Sequence, residues 1–212
     1  MRGEDMLVRE SMGVQNHSQT ILPLVQQLLA EAELSLKQCD AIAFGCGPGS
    51  FTGVRTACGI VQGLAFGAGL PVVPVVTLQA MAEACRSEHD ATDVLSVLDA
   101  RMGEVYWAQY RFDGLWHEIV APTLSNAQAV APQGSVIACG NGLTAYAEAF
   151  AGRDFMPGAL PQIVPHARDV AQQGLFILAS GAAIAARDAQ PLYLRNKVAL
   201  TTAERMHKAE AA

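Results

Sequence analysis

Ser50 is the first residue of this chain whose type and setting could do chemistry. It lies in the run Gly47-Pro48-Gly49-Ser50-Phe51-Thr52-Gly53-Val54-Arg55, just behind the apolar strand Ala41–Gly45. A serine on a strand-to-helix corner is the arrangement of an acyl-transfer nucleophile. That elbow needs Gly-x-Ser-x-Gly, and the residues here are Gly-Ser-Phe-Thr-Gly, so protease-like chemistry is not expected and Ser50 reads as a helix cap. Glycines after a strand also let the backbone approach a phosphate. No Gly-Lys-Ser/Thr follows, and the glycine spacing misses the dinucleotide fingerprint. A second set, Asp99, Arg101 and Glu104, flanks a turn after a buried strand. On its residues alone this set reads as a turn aspartate with a local ion pair. The histidines at 17, 89, 117, 166 and 207 are isolated and lack HxxxH, HxxE or Cys-His spacing, so no metal site is expected.

The elements that must hold these residues follow from periodicity. Asn16 to about Glu33 reads as a helix capped by Asn16, with Gln19 reaching back. Its apolar residues Ile21, Leu22, Leu24, Val25, Leu28 and Leu29 span an arc of roughly 160°. Ala41–Gly45 is a strand, Thr52–Gly67 a helix, Val72–Val76 a strand, and Thr77 caps a helix to about Arg86. This alternation predicts parallel pairing with helical crossovers. The polar stretch Ser87–Asp93 marks a boundary between a lobe over 1–93 and a lobe over 94–212. Val94–Leu98, Glu104–Phe112 after a Gly103 turn, and Trp116–Ala121 form an antiparallel meander. Ser125 caps a short helix, Val136–Cys139 is a strand, and Leu143–Phe150 is helical. After a proline-punctuated loop over 153–165, Arg168–Ala186 reads as a long helix. Leu192–Leu194 is extended, and the tail from Thr202 is frayed. The fold class is α/β, and the second half has the βββαβα order of a ribonuclease-H-like lobe.

The helix Thr52–Gly67 has no charged face. Val54, Ile60, Val61 and Leu64 lie on one broad side, with Thr56, Gly59, Gly63 and Gly67 roughly opposite. Only a thin polar ridge remains, at Arg55 and Gln62. Such a helix must be covered on two sides. Either it packs wholly inside its own fold, or the small-residue side, with part of the Asn16–Glu33 helix, docks on another chain.

Composition narrows the function classes. The 212 residues are 51% hydrophobic and 16% charged, enough apolar material for one large or two small domains. A net charge of −6 and no visible Lys/Arg cluster argue against direct nucleic-acid binding. Cysteines 39, 46, 58, 85 and 139 are scattered, odd in number and without CxxC spacing, and four sit among small or apolar neighbours as buried thiols do. With a charged N-terminus and no apolar leader, a cytoplasmic setting is expected. Residues 56–82 carry no charge, but glycines and prolines divide them into pieces shorter than the ~20 residues of a spanning helix.

Three stretches together carry a family resemblance: Gly47–Arg55 with Gln62-Gly63-Leu64-Ala65, Asp99–Trp107, and Pro191-Leu192-Tyr193-Leu194-Arg195-Asn196. In order and spacing they resemble the TsaB (YeaZ) family across nearly the whole chain. The resemblance implies two ribonuclease-H-like lobes of the actin-like ATPase fold. It also implies a non-catalytic subunit in the threonylcarbamoylation of tRNA adenosine 37. The expected partners are a TsaD-type transferase, a TsaE-type ATPase through the complex, and a second copy when the chain is alone. ATP and metal are expected on the partner subunits, with tRNA bound only indirectly. Leu22, Val25, Leu29, Thr56, Gly59, Ile60, Gly63 and Gly67 are the expected partner-binding residues. The alternative from another class is a small-molecule kinase of the actin-like superfamily, which needs two phosphate loops and a cleft.

The family's chains open with a hydrophobic strand ending in Asp-Thr-Ser/Ala, followed by a second strand. Met1–Ser11 is charged and polar instead. The first lobe is therefore expected to lack its two N-terminal strands, with Met1 lying downstream of the true initiator. The chain as written is expected to be poorly soluble or to depend on another chain to fill the sheet.

Overall fold

The structure, a computed structural model, describes residues 1, 3, 5–11 and 17–195. α1 (His17–Glu31) carries Pro23 inside it. The expected Asn16 cap and the tail from Thr202 lie outside the described residues. β1 (Ile42–Gly47) and β2 (Val72–Val76) pair in parallel, with Ile42 opposite Val72 and Gly45 opposite Val75. α2 (Phe51–Ala68) is the crossover between them, as parallel pairing requires. Among the described residues, β1 pairs with no strand other than β2.

α3 (Thr77–His89) leads from this sheet into the second one. β3 (Asp93–Arg101), β4 (Glu104–Phe112) and β5 (Trp116–Asn126) form the expected antiparallel meander. β6 (Ile137–Cys139) joins parallel to β3, giving the order β5-β4-β3-β6. α4 (Gly142–Ala145), α5 (Ala147–Phe150) and α6 (Ala167–Ala179) follow.

Four local expectations fail for identifiable reasons. Val76, not Thr77, is the N-cap of α3, and Thr77 is already helical. Ser125 stays in β5, where its Oγ accepts from the Trp107 indole at 2.9 Å. The helix expected over Leu143–Phe150 breaks at Tyr146, whose hydroxyl donates to Asp99 at 2.9 Å. The last helix stops at Ala179, because Gly181 takes a left-handed φ of 77° two residues on, as glycines past helix ends do.

Each sheet is covered on both faces. Cys58, Val61 and Ala65 of α2 pack with Phe44, Cys46 and Val72 on one side of the first sheet. Val73 and Val75 meet Val170, Ile177 and Leu178 of α6 on the other. In the second sheet, Leu78, Met81 and Cys85 of α3 pack on Val94, Leu98 and Tyr110. Leu95, Val97 and Trp107 face Leu143, Phe150 and Phe155 opposite. Helices thus cross between the lobes: α3 packs on the second sheet, and α6, from the far end of the chain, packs on the first. A buried knot ties these crossings together. Glu83 of α3, 2% exposed, accepts from Arg86 at 2.6 Å, from Trp116 of β5 at 2.7 Å and from Gln173 of α6 at 2.8 Å. Cys46, Cys58, Cys85 and Cys139 are buried free thiols and Cys39 is half-buried. Burial pushes the Cys46 thiol up to about 11, so it is not a nucleophile near neutral pH.

Candidate functional site

The corner after β1 is built as a turn, not as a reaction centre. Gly47 holds a φ of 104°, and a Cβ there would stand 3.2 Å from the Leu192 carbonyl, so only glycine fits. Pro48 follows through a cis peptide bond. The Ser50 hydroxyl accepts the Gly53 N–H at 3.4 Å as the cap of α2, the role read from the sequence. Among the described residues no imidazole hydrogen-bonds to Ser50, and a serine without a base is a poor nucleophile. Phe51 and Thr52 open the helix exposed, and Gly49 and Gly53 are half-buried at its mouth.

Two surfaces meet at this corner. The first is the outer face of α1 and α2. Cys58, Val61 and Ala65 turn α2 toward the sheet. On the roughly opposite side Gly59, Gly63 and Gly67 are exposed, and a Cβ added to any of them would meet nothing within 4 Å. Thr56 and Ile60 beside them are half-buried, and Phe66 is 83% exposed. In α1, Leu22 is 44% exposed, and Ile21, Leu24, Val25, Leu28 and Leu29 are only half-buried. No apolar side chain among these α1 residues is buried, although the helix carries a broad apolar arc. The structure therefore gathers the expected Leu22, Val25, Leu29, Thr56, Gly59, Ile60, Gly63 and Gly67 onto two neighbouring helices with an uncovered side. The polar ridge at Arg55 and Gln62 is hydrogen-bonded to the C-terminal part of the chain, with Arg55 itself exposed. Gln62 donates to the Ala189 carbonyl at 2.9 Å, and Arg55 donates to the Tyr193 hydroxyl at 2.6 Å while lying 3.7 Å over the Phe51 ring.

The second surface is a cleft of about 910 Å³ between the lobes. Pro48, Gly49, Ser50 and Val54 line one wall, Leu98 to Met102 with Tyr106 and Asn141 the other, and Leu192 to Arg195 its back. Asp99 and Arg101 line this cleft and Glu104 is tied to its lining residue Arg195, so their polar groups are committed within the chain. Asp99 Oδ1 accepts the Arg101 N–H at 2.7 Å and the Tyr146 hydroxyl at 2.9 Å, and Oδ2 lies 3.3 Å from the Arg101 guanidinium. The Asp99 N–H donates to Asn141 Oδ1 at 3.1 Å. Glu104 accepts from Arg195 at 2.6 Å. A carboxylate already holding a guanidinium, a hydroxyl and an amide is a poor fit to a metal–phosphate group. Burial and the Asp99 contact raise the Tyr146 phenol above its ordinary range, so it stays a donor. Among the described residues no three His, Cys, Asp or Glu side chains gather as metal ligands, and no helix is long and apolar enough to cross a membrane.

Asn141, Tyr193 and Arg195 line the cleft and Tyr146 holds Asp99 beside it, and sequence reasoning misses all four. The Pro191–Asn196 motif contains two of them, but spacing alone does not show what they touch; Asn196 lies outside the described residues.

A family model described as TsaD, tRNA N6-adenosine threonylcarbamoyltransferase, matches residues 9–173. The tRNA threonylcarbamoyladenosine biosynthesis protein TsaB of Escherichia coli (strain K12) is 40% identical over 190 residues, 86% of this chain and 82% of that protein. The protein of the same name from Haemophilus influenzae is 36% identical over 209 residues, 93% of this chain and 87% of that one. Among solved structures, YeaZ from Pseudomonas aeruginosa superposes with a TM-score of 0.79 at 38% identity, covering 86% of this chain and 87% of its own. A second Pseudomonas aeruginosa structure, described as similar to peptidase YEAZ, gives 0.79 at 39% identity and 85% coverage of each chain.

Proposed function

The chain belongs to the TsaB (YeaZ) family and has the actin-like ATPase fold, and on that premise we propose that it is a non-catalytic scaffold subunit of tRNA threonylcarbamoyladenosine biosynthesis. It holds a TsaD-type transferase through the outer face of α1 and α2, and reaches a TsaE-type ATPase through the resulting complex. ATP and metal act on those partner subunits, tRNA is met only through the assembly, and a second copy of the chain covers the same face when the partner is missing. One observation carries the reading. Two adjacent helices keep Leu22, Phe66 and three consecutive turns of glycine uncovered, while the cleft carboxylates are spent on internal bonds.

Glycines at 59, 63 and 67 let a partner helix approach the α2 backbone closely, so the contact rests on buried apolar area and tight packing. Gly63→Arg or Leu29→Glu should therefore abolish co-purification with the TsaD-type subunit while the chain keeps its circular-dichroism melt. Retained binding by both variants contradicts the proposal. The cleft is the one feature that favours a phosphotransferase instead. Micromolar Mg-ATP binding by calorimetry, with turnover by the chain alone, would support that second reading.

A further inference from the structure

From Ala186 to Arg195 the chain runs along α2 and across the back of the cleft. On the α2 side, the Ala189 carbonyl accepts from Gln62 at 2.9 Å and from the Cys58 thiol at 3.4 Å. The Leu192 N–H donates to the Cys46 carbonyl at 2.7 Å. The Tyr193 hydroxyl accepts from Arg55 at 2.6 Å, and its ring lies 6.2 Å from that of Phe51. Two residues later Arg195 reaches the other lobe. Its Nη2 donates to the Ala100 carbonyl at 3.0 Å and to Glu104 Oε2 at 2.6 Å, and its Nη1 lies 3.3 Å from Met102 Sδ.

The turn that Arg195 grips is strained. Arg101, Met102 and Gly103 hold φ values of 64°, 60° and 79° in succession. Side chains rarely adopt this region, and two such residues in a row need surrounding contacts to hold them. Arg195 supplies those contacts, yet its own Nε is buried without an acceptor among the described residues. The order of this turn therefore rests on a contact made from the far end of the chain.

We infer that the Leu192–Arg195 strap is a clasp that couples the docking helix α2 to the β3–β4 turn, so that a partner seated on α2 alters the order of that turn across the cleft. The partner's part in this rests on the docking role proposed above; the coupling within the lone chain does not.

Hydrogen exchange of the full chain without partner tests the coupling. Tyr193→Phe removes one hydrogen bond on the α2 side only. Amides 100–104, across the cleft, should then exchange about tenfold faster, the equivalent of one net hydrogen bond. Arg195→Met, made at the other end, should speed exchange in the first turn of α2 by a similar factor. Changes confined to the side of the cleft that was altered overturn the clasp, as does a uniform rise over both lobes, which would signal general destabilisation. In a second arm, adding the TsaD-type subunit should slow exchange at 100–104 in the unaltered chain but not in Arg195→Met. Protection of α1 and α2 with no change at 100–104 overturns the coupling to the partner. No protection at α1 or α2 overturns the docking role instead, and the first arm still decides the clasp.

Discussion

Replacing Gly59 and Gly63 together by alanine should move stability and partner binding in opposite directions. Both residues sit inside α2, are exposed, and offer open space where a Cβ would go. A glycine inside a helix costs about 1 kcal/mol relative to alanine, because the unfolded chain loses more freedom. The double variant should thus gain about 2 kcal/mol, which for a chain of this size raises the melting temperature by about 4–8 °C. On the docking proposed above, the same methyl groups would stand where the partner's backbone comes close. Overpacking of about 1–3 kcal/mol weakens the affinity for the TsaD-type subunit by about tenfold or more. Thermal denaturation followed by circular dichroism reads the first quantity and titration calorimetry the second. A melting temperature that falls would mean the glycines are already packed within their own fold. Unchanged affinity would mean the stripe is not the contact.

Two further outcomes test the architecture. Asp169 has a side chain 1% exposed, with Oδ2 unpaired among the described residues, and burial raises its pKa against the opposing pull of Arg168 and His166. With the folded pKa above the unfolded one, the ionised carboxylate destabilises the fold at neutral and higher pH, and the penalty fades as pH falls through the folded value. Asp169→Asn should therefore stabilise the chain to urea at pH 8, with a smaller gain at pH 5; an equal gain at both pH values contradicts this account. Gly140 has a φ of 108°, and a Cβ there would collide with the Val97 carbonyl and lie 2.6 Å from Met81 Cε. Gly140→Ala should cost about 2–5 kcal/mol from strain plus overpacking, against about 1 kcal/mol for Gly134→Ala, which is also left-handed but open. Similar urea midpoints for the two variants would contradict the packing described.

Local signals carried much of the fold. The apolar block Val72–Val76 and the alternating run Glu104–Phe112 have the bounds read from the sequence, since both strands are framed by turns and helix starts. Ser50 is legible as a cap because the cap bond is local. The failures are of another kind. Tyr146 interrupts a helix to reach Asp99, 47 residues away, and Ser125 is drawn into β5 by Trp107, 18 residues away. Gly181 ends α6 short of the alanine-rich residues over which the helix is expected to continue. The small-residue side of α2 is visible in the sequence, but whether the fold itself covers it depends on where α1 and the strap settle. The strap joins Arg55 to Tyr193 over 138 residues and Glu104 to Arg195 over 91, and no periodicity encodes such pairings.

A photo-reactive residue at position 66 offers the sharpest trial of the helical face. Phe66 projects from α2 beside the glycines, whereas the exposed Glu148 lies on α5, away from that face. Irradiated with the TsaD-type subunit, the probe at 66 should form a covalent adduct with it and the probe at 148 should not. An adduct from 148 with none from 66 would place the contact elsewhere and contradict the account.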